Sequence, residues 1–188
     1  MRGLLAISKG IDTLTTWIAY VMFWLTLVMV LLGAFNVITR NVGRELGVSL
    51  GGTLYITLQT YAYNLIFLLG AAYVFKEDAH VRVDILFSNY SNRLKAWVDI
   101  VMTFIFLIPF CIMGMYFSWD YVGNSWRQGE VNVNAGGLPV YPIKTVIIVA
   151  FALLILQGIS EVIKRVAFLR GVEGYEQHDN VTEDVEAV

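Results

Sequence analysis

Four long apolar tracts alternate with short polar ones along the chain. Residues 13–39 run 27 positions without a charge. As a helix rising 1.5 Å per residue they would extend roughly 40 Å, more than the ~30 Å hydrocarbon core of a bilayer requires. Trp17, Tyr20 and Trp24 load the first end with interfacial aromatics, and Arg40 and Arg44 close the other. Residues 54–75 form a second uncharged run of 22, ending in Gly70-Ala71-Ala72, small side chains that let another helix approach closely. Ser91 is placed to cap a helix that continues into the third run of 20, residues 100–119, where Pro109 predicts a kink. The fourth run, residues 145–160, has only 16 uncharged positions, about 24 Å. It must borrow length at both ends, with Lys144 snorkelling outward and Glu161 near the far interface or facing protein.

The pattern predicts an all-α integral membrane protein with four transmembrane helices, over about residues 13–39, 54–75, 97–119 and 143–163, and additional interfacial helical segments. Residues 1–170 read as one membrane domain. The opening residues imitate a signal peptide, but Lys9 and Asp12 interrupt their apolar run and the tract that follows is far too long, so the first helix is expected to be retained. Within the spans, Asn36 could hydrogen-bond across helices but reads first as a polar residue near the head groups, and Gln59 and Asn64 read as packing or partner-facing groups. Gly43, Gly47 and Gly51 mark an interfacial turn, and Cys111 a small buried hydrophobe.

Charge sets the expected orientation. Arg2, Lys9, Lys76, Arg82, Arg93, Lys95, Lys164, Arg165 and Arg170 fall on one side of the membrane; Arg40, Arg44, Arg127 and Lys144 fall on the other. Nine against four, with an even number of spans, places both termini and the central loop in the cytoplasm. Residues 171–188 hold six carboxylates and no Lys or Arg, which predicts a solvated, disordered tail.

Composition narrows the chemistry. Only 15% of residues are charged and 57% are hydrophobic, against about a quarter charged in soluble domains. No basic cluster suggests nucleic acid. A single cysteine excludes an internal disulfide or a CxxC pair, and His80 and His178 lie too far apart for metal-ligand spacing. No span carries a charged residue in its interior, where proton-coupled carriers keep an ionisable group, and neither histidine is there to serve as a haem ligand. Glu77, Asp78 and Asp84 approach an acidic cluster but match no metal pattern. No catalytic, cofactor or metal residue is assigned. Elimination leaves an accessory or packing subunit, with an independent small channel or carrier and a membrane-bound enzyme as alternatives.

Two segments carry a family resemblance. Residues 69–86 read Leu-Gly-Ala-Ala-Tyr-Val-Phe-Lys-Glu-Asp-Ala-His-Val-Arg-Val-Asp-Ile-Leu. They resemble the signature after the second helix of the small, DctQ-like membrane subunit of TRAP (tripartite ATP-independent periplasmic) transporters. Gly129-Glu130, then Gly137-Leu138-Pro139, Pro142 and Lys144, followed by Gln157-Gly158 and Glu161, resemble that family's last loop and fourth helix. The chain departs from the pattern at the start of the second helix, where acidic residues are common and residues 51–56 read Gly-Gly-Thr-Leu-Tyr-Ile, and where a serine and a proline are common, which appear here as Asn132 and Asn134 or Ala135. The resemblance implies a small permease subunit in the bacterial inner membrane. It would scaffold a large membrane subunit that carries sodium and an organic acid anion delivered by a periplasmic binding protein. No cofactor is expected in this chain, and sodium coupling belongs to the partner.

The candidate structural or subunit-interface residues follow from these motifs. His80, Arg82 and Asp84 are expected to fix the cytoplasmic end of the second helix. Glu130 belongs to the second motif. Gly137, Leu138, Pro139 and Pro142 would shape the periplasmic entry to the fourth helix. Lys144 reads as a snorkelling anchor or a docking charge for the binding protein. Gln157 and Glu161, four apart on one helical face, would turn towards protein rather than lipid.

Overall fold

The structure is a computed structural model that describes residues 2–47, 52–77, 91–133 and 137–172. Its helices are α1 (Arg2–Glu45), α2 (Thr53–Lys76), α3 (Asn92–Met102), α4 (Ile108–Gln128) and α5 (Tyr141–Leu169), with a π-helical turn, Thr103–Leu107, joining α3 to α4. A two-stranded antiparallel ladder, β1 (Val131–Asn132) and β2 (Leu138–Pro139), precedes α5. Among the described residues four helical stretches are long and apolar enough to cross a membrane, α3 and α4 counting as one with their π turn. This is the all-α, four-span architecture expected from the apolar runs.

The helices exceed those runs. The 44 residues of α1 would measure about 66 Å, twice the hydrocarbon thickness, so its first turns stand outside the lipid. Likewise α5 has 29 residues where the uncharged run has 16. Ser91 occupies the N-cap of α3 as expected, but its hydroxyl makes no capping bond; its carbonyl accepts from Lys95 N at 3.0 Å.

α5 is the centre of the bundle and packs against α1, α2, α3 and α4. In its apolar window 28% of residues are buried, against 11% in each other span. Close approach depends on two glycines. A Cβ on Gly114 of α4 would fall 2.5 Å from the Phe151 ring, and one on Gly158 of α5 would fall 2.7 Å from Leu107 and 3.3 Å from Thr103. Phe110 completes the first contact, edge-on to Phe151 at 6.0 Å between ring centres.

Pro109 explains the π turn. Proline has no N–H to give and its ring crowds the carbonyl four residues back. The turn before it widens: Ile108 N–H bonds Thr103 O, five residues back. The predicted perturbation thus takes the form of a π turn placed against Gly158.

α1 and α2 form an antiparallel hairpin. The Gln59 amide of α2 occupies the space beside Gly33 of α1, Phe35 meets Tyr55 edge-on at 5.4 Å, and Lys76 Nζ donates to Thr16 Oγ1 at 2.9 Å. Asn36 is buried against protein. Ala72 and Cys111 are buried as expected. Gly47 takes the left-handed conformation after α1, φ +68°, consistent with the expected turn. Outside these contacts the helices present exposed apolar side chains, among them Phe104, Phe106, Phe117 and Trp119, as lipid-facing surfaces do.

Candidate functional site: two polar clusters at the ends of α5

The first cluster lies where α1 begins and α5 ends. Ser8, Asp12 and Thr15 fall at i, i+4 and i+7 on α1, and Gln157, Ser160 and Lys164 at i, i+3 and i+7 on α5, so each set lines one helical face. The two faces meet antiparallel. Thr15 Oγ1 donates to Gln157 Oε1 at 2.8 Å, while Gln157 Nε2 donates to Asp12 Oδ1 at 2.9 Å and to Glu161 Oε1 at 3.3 Å. Ser160 Oγ reaches the same Asp12 oxygen at 2.8 Å, and the Ser8 and Ser160 hydroxyls lie 2.7 Å apart. Lys164 Nζ sits 3.2 Å from Asp12 Oδ2 and also pairs with Glu161. Gln157 and Ser160 are fully buried.

Its neighbour Arg165 turns the other way. Arg165 Nε lies 3.1 Å from Asp99 Oδ2 on α3. Two consecutive basic residues therefore tie α5 to α1 and to α3. Both pairs are partly buried, and removing one partner would leave the other charged group short of compensation in a poorly hydrated place.

The second cluster closes the opposite end. α4 stops at Gly129, whose left-handed conformation (φ +56°) ends the helix and sends Glu130 back towards it. Glu130 Oε2 accepts from Ser125 Oγ at 2.7 Å and from Lys144 Nζ. The Lys144 ammonium also stands 4.1 Å from the centre of the Tyr121 ring, a cation–π contact. The hydrogen bond from Lys144, with a second from Ser125, holds the Glu130 carboxyl below its ordinary pKa of 4.5. Val140 N donates to Glu130 O at 2.9 Å, Val131 pairs with Pro139 and Asn132 with Leu138. Gly137 supplies the positive φ, +82°, needed where the ladder turns back. Pro142 sits in the first turn of α5, where its missing N–H costs nothing. The Trp126 ring lies tilted against Tyr141 at 4.4 Å between centres, and its Nε1–H donates to Thr145 Oγ1 at 2.8 Å.

Residues 29–168 match the family described as tripartite ATP-independent periplasmic transporters, DctQ component. The chain belongs to that family. It is a DctQ component: a small membrane subunit of a TRAP transporter. No curated protein and no solved structure matches it. The matched region of this DctQ component takes in the whole Glu130–Lys144 cluster and the α5 side of the first cluster. Ser8, Asp12 and Thr15, the α1 side, precede it.

The expected site residues of the DctQ component are distributed over both ends. Glu130, Gly137, Leu138, Pro139, Pro142 and Lys144 come together around the β-ladder. There Lys144 is a partner of Glu130, with its side chain 11% exposed. Gln157 faces α1 of the same chain, while Glu161 bonds to Gln157 and pairs with Lys164 on α5 itself. His80, Arg82 and Asp84 lie outside the described residues. Sequence reasoning missed Ser8, Asp12, Thr15, Ser125, Ser160 and Lys164. The available signal was the matched polar spacing near the ends of two helices, at 8/12/15 and 157/160/164.

Proposed function

We propose that this DctQ component is a fixed, non-transporting scaffold for the large membrane subunit of its transporter, in sodium-coupled uptake of an organic acid anion supplied by a periplasmic binding protein. The observation that carries the reading is where the charges stand. The Glu130–Lys144, Asp12–Lys164 and Asp99–Arg165 pairs join separate parts of this chain towards helix ends, and none of the three sits at mid-span, where a carrier of its own would need one. Those pairs fix α5 against its neighbours and suit a body that another subunit moves against. Both ends of the chain and the central loop belong in the cytoplasm of a bacterium, by the nine-to-four excess of Lys and Arg, and the bilayer is its inner membrane.

Two experiments test this. Purified chain in vesicles should leave radiolabelled organic acids outside. Adding the large subunit and binding protein should give uptake that collapses with the sodium gradient. Uptake by this chain alone would refute the scaffold reading and favour an independent carrier. For orientation, Gly3→Cys and Leu46→Cys in a Cys111→Ser background should be labelled by impermeant maleimide from the cytoplasmic and periplasmic sides respectively. The reverse pattern would invert the topology.

A further inference from the structure

A groove of about 880 Å³ runs along the outer face of α1, from Lys9 to Trp24, and is closed at the chain-end side by Lys76 of α2. We propose that it is a binding site for one anionic phospholipid in the leaflet on the chain-end side, with the phosphate held by Lys9 and Lys76 and an acyl chain lying along Trp17, Tyr20 and Trp24.

The length of the groove identifies the occupant. Residues 9 to 24 are fifteen helical steps, about 22 Å, which is half of the 40–45 Å of a whole bilayer with its head groups. The groove therefore has the length of one leaflet, with its charges at one end only. A soluble phosphate needs the charged end alone; a partner's transmembrane helix would run past the midplane.

The charges supply head-group selectivity. An ammonium has three N–H donors. Lys76 uses one on Thr16 Oγ1 and one on Glu77, leaving a third. Lys9 is exposed, and its ammonium makes no hydrogen bond or ion pair among the described residues. Asp12 also lines the groove, but its carboxylate is taken up by Gln157, Ser160 and Lys164 of α5. Glu77 offsets part of the Lys76 charge, so the free positive charge is centred on Lys9. Trp17, Tyr20 and Trp24 are 69%, 67% and 59% exposed, and their rings form an apolar wall with polar edges of the kind found at membrane interfaces.

The test is native mass spectrometry of the full-length chain released from nanodiscs of phosphatidylcholine doped with phosphatidylglycerol. Preferential retention of one phosphatidylglycerol per chain is expected. The double variant Lys9→Gln/Lys76→Gln should lower that retention by about ten- to thirty-fold, from the usual contribution of basic residues beside anionic lipid. Lys9→Gln alone, at a residue with no internal contact to lose, should give a smaller fall with unchanged thermal stability. Arg40→Gln/Arg44→Gln, the same charge loss at the other end of α1, should change nothing. Equal retention of phosphatidylcholine would overturn the proposal, as would full retention by the double variant. Displacement by soluble glycerol phosphate would assign the site to a free phosphate instead. Loss of the lipid whenever the large subunit co-purifies would assign the groove to protein.

Discussion

Gln157→Leu is the most informative single change in the bundle. Leucine nearly matches glutamine in volume, so the packing of α5 survives while three hydrogen bonds disappear, to Thr15 at 2.8 Å, Asp12 at 2.9 Å and Glu161 at 3.3 Å. Side-chain hydrogen bonds within membrane bundles are worth about 0.6 kcal/mol each and at most about 1.7. Leaving a buried polar group without a partner costs about 1–3 kcal/mol. Thr15 is only 2% exposed and cannot turn to water. Its hydroxyl can fall back on the carbonyl four residues earlier, as Thr13 and Thr16 already do, which recovers part of the loss. Asp12 keeps Ser160 and Lys164. The net expectation is a destabilisation of about 2–4 kcal/mol. It would be read from reversible unfolding of the purified chain in mixed micelles with increasing dodecyl sulfate, followed by circular dichroism. Combining the change with Thr15→Val in a double-mutant cycle should show a coupling of about 0.5–1.5 kcal/mol. A loss under about 0.5 kcal/mol, or strict additivity with Thr15→Val, would refute the claim that this network holds α1 to α5.

The glycine contacts give a steric prediction. Gly158→Ala must displace Leu107 and Thr103 and should cost about 1–3 kcal/mol, whereas Gly70→Ala, which meets nothing within 4 Å, should be neutral or slightly stabilising in the same unfolding assay. Acid should loosen the β-ladder end of the bundle. The folded-state pKa of Glu130 is depressed, so its stabilisation is complete above the ordinary value of 4.5 and is lost as pH falls through the lower folded value. Thermal midpoints between about pH 6 and pH 3 should therefore fall less for Glu130→Gln than for the natural chain, and parallel curves would sink the argument. Lys164→Gln and Arg165→Gln should loosen different contacts. The first should raise amide exchange in the opening turns of α1 and the second in α3, and a common pattern for both would contradict the divided pairing.

The number of spans was legible because a bilayer permits few charges over some twenty residues, and four such runs stand out. The helix ends were not legible, because a charge-free run records the depth of lipid rather than the length of helix. Lys9 and Asp12 interrupt the run while remaining inside α1. The second cluster was half visible: Glu130 and Lys144 stand 14 residues apart across a hairpin and were both singled out, but as separate residues. The first was hidden by distance. Asp12 and Gln157 are 145 residues apart, and only the antiparallel packing of α1 on α5 brings them into contact. The burial of Asn36 was not legible for a related reason, since nothing in a single sequence says which side of a helix a neighbour covers.

The π turn bears on how the third span keeps in step with α5. Phe151, Gly158 and Arg165 stand seven residues apart, a spacing at which a straight helix drifts by only about 20° per repeat. Their partners on the third span are Phe110 and Gly114, then Thr103 and Leu107, then Asp99. In a regular α-helix each four-residue step overshoots a full turn by about 40°, so the two steps from Asp99 to Leu107 would carry Leu107 about 80° out of line. The widened turn absorbs that overshoot. It acts as a phase correction, leaving one residue more than an α-helix would need between the ion pair at one end and the aromatic contact further along. Pro109 keeps the surplus in place, because the chain cannot tighten back to α-helical bonding where the donor is missing. Tightening that turn to regular α-helical bonding with every residue kept would rotate everything after it by about 80° relative to α5.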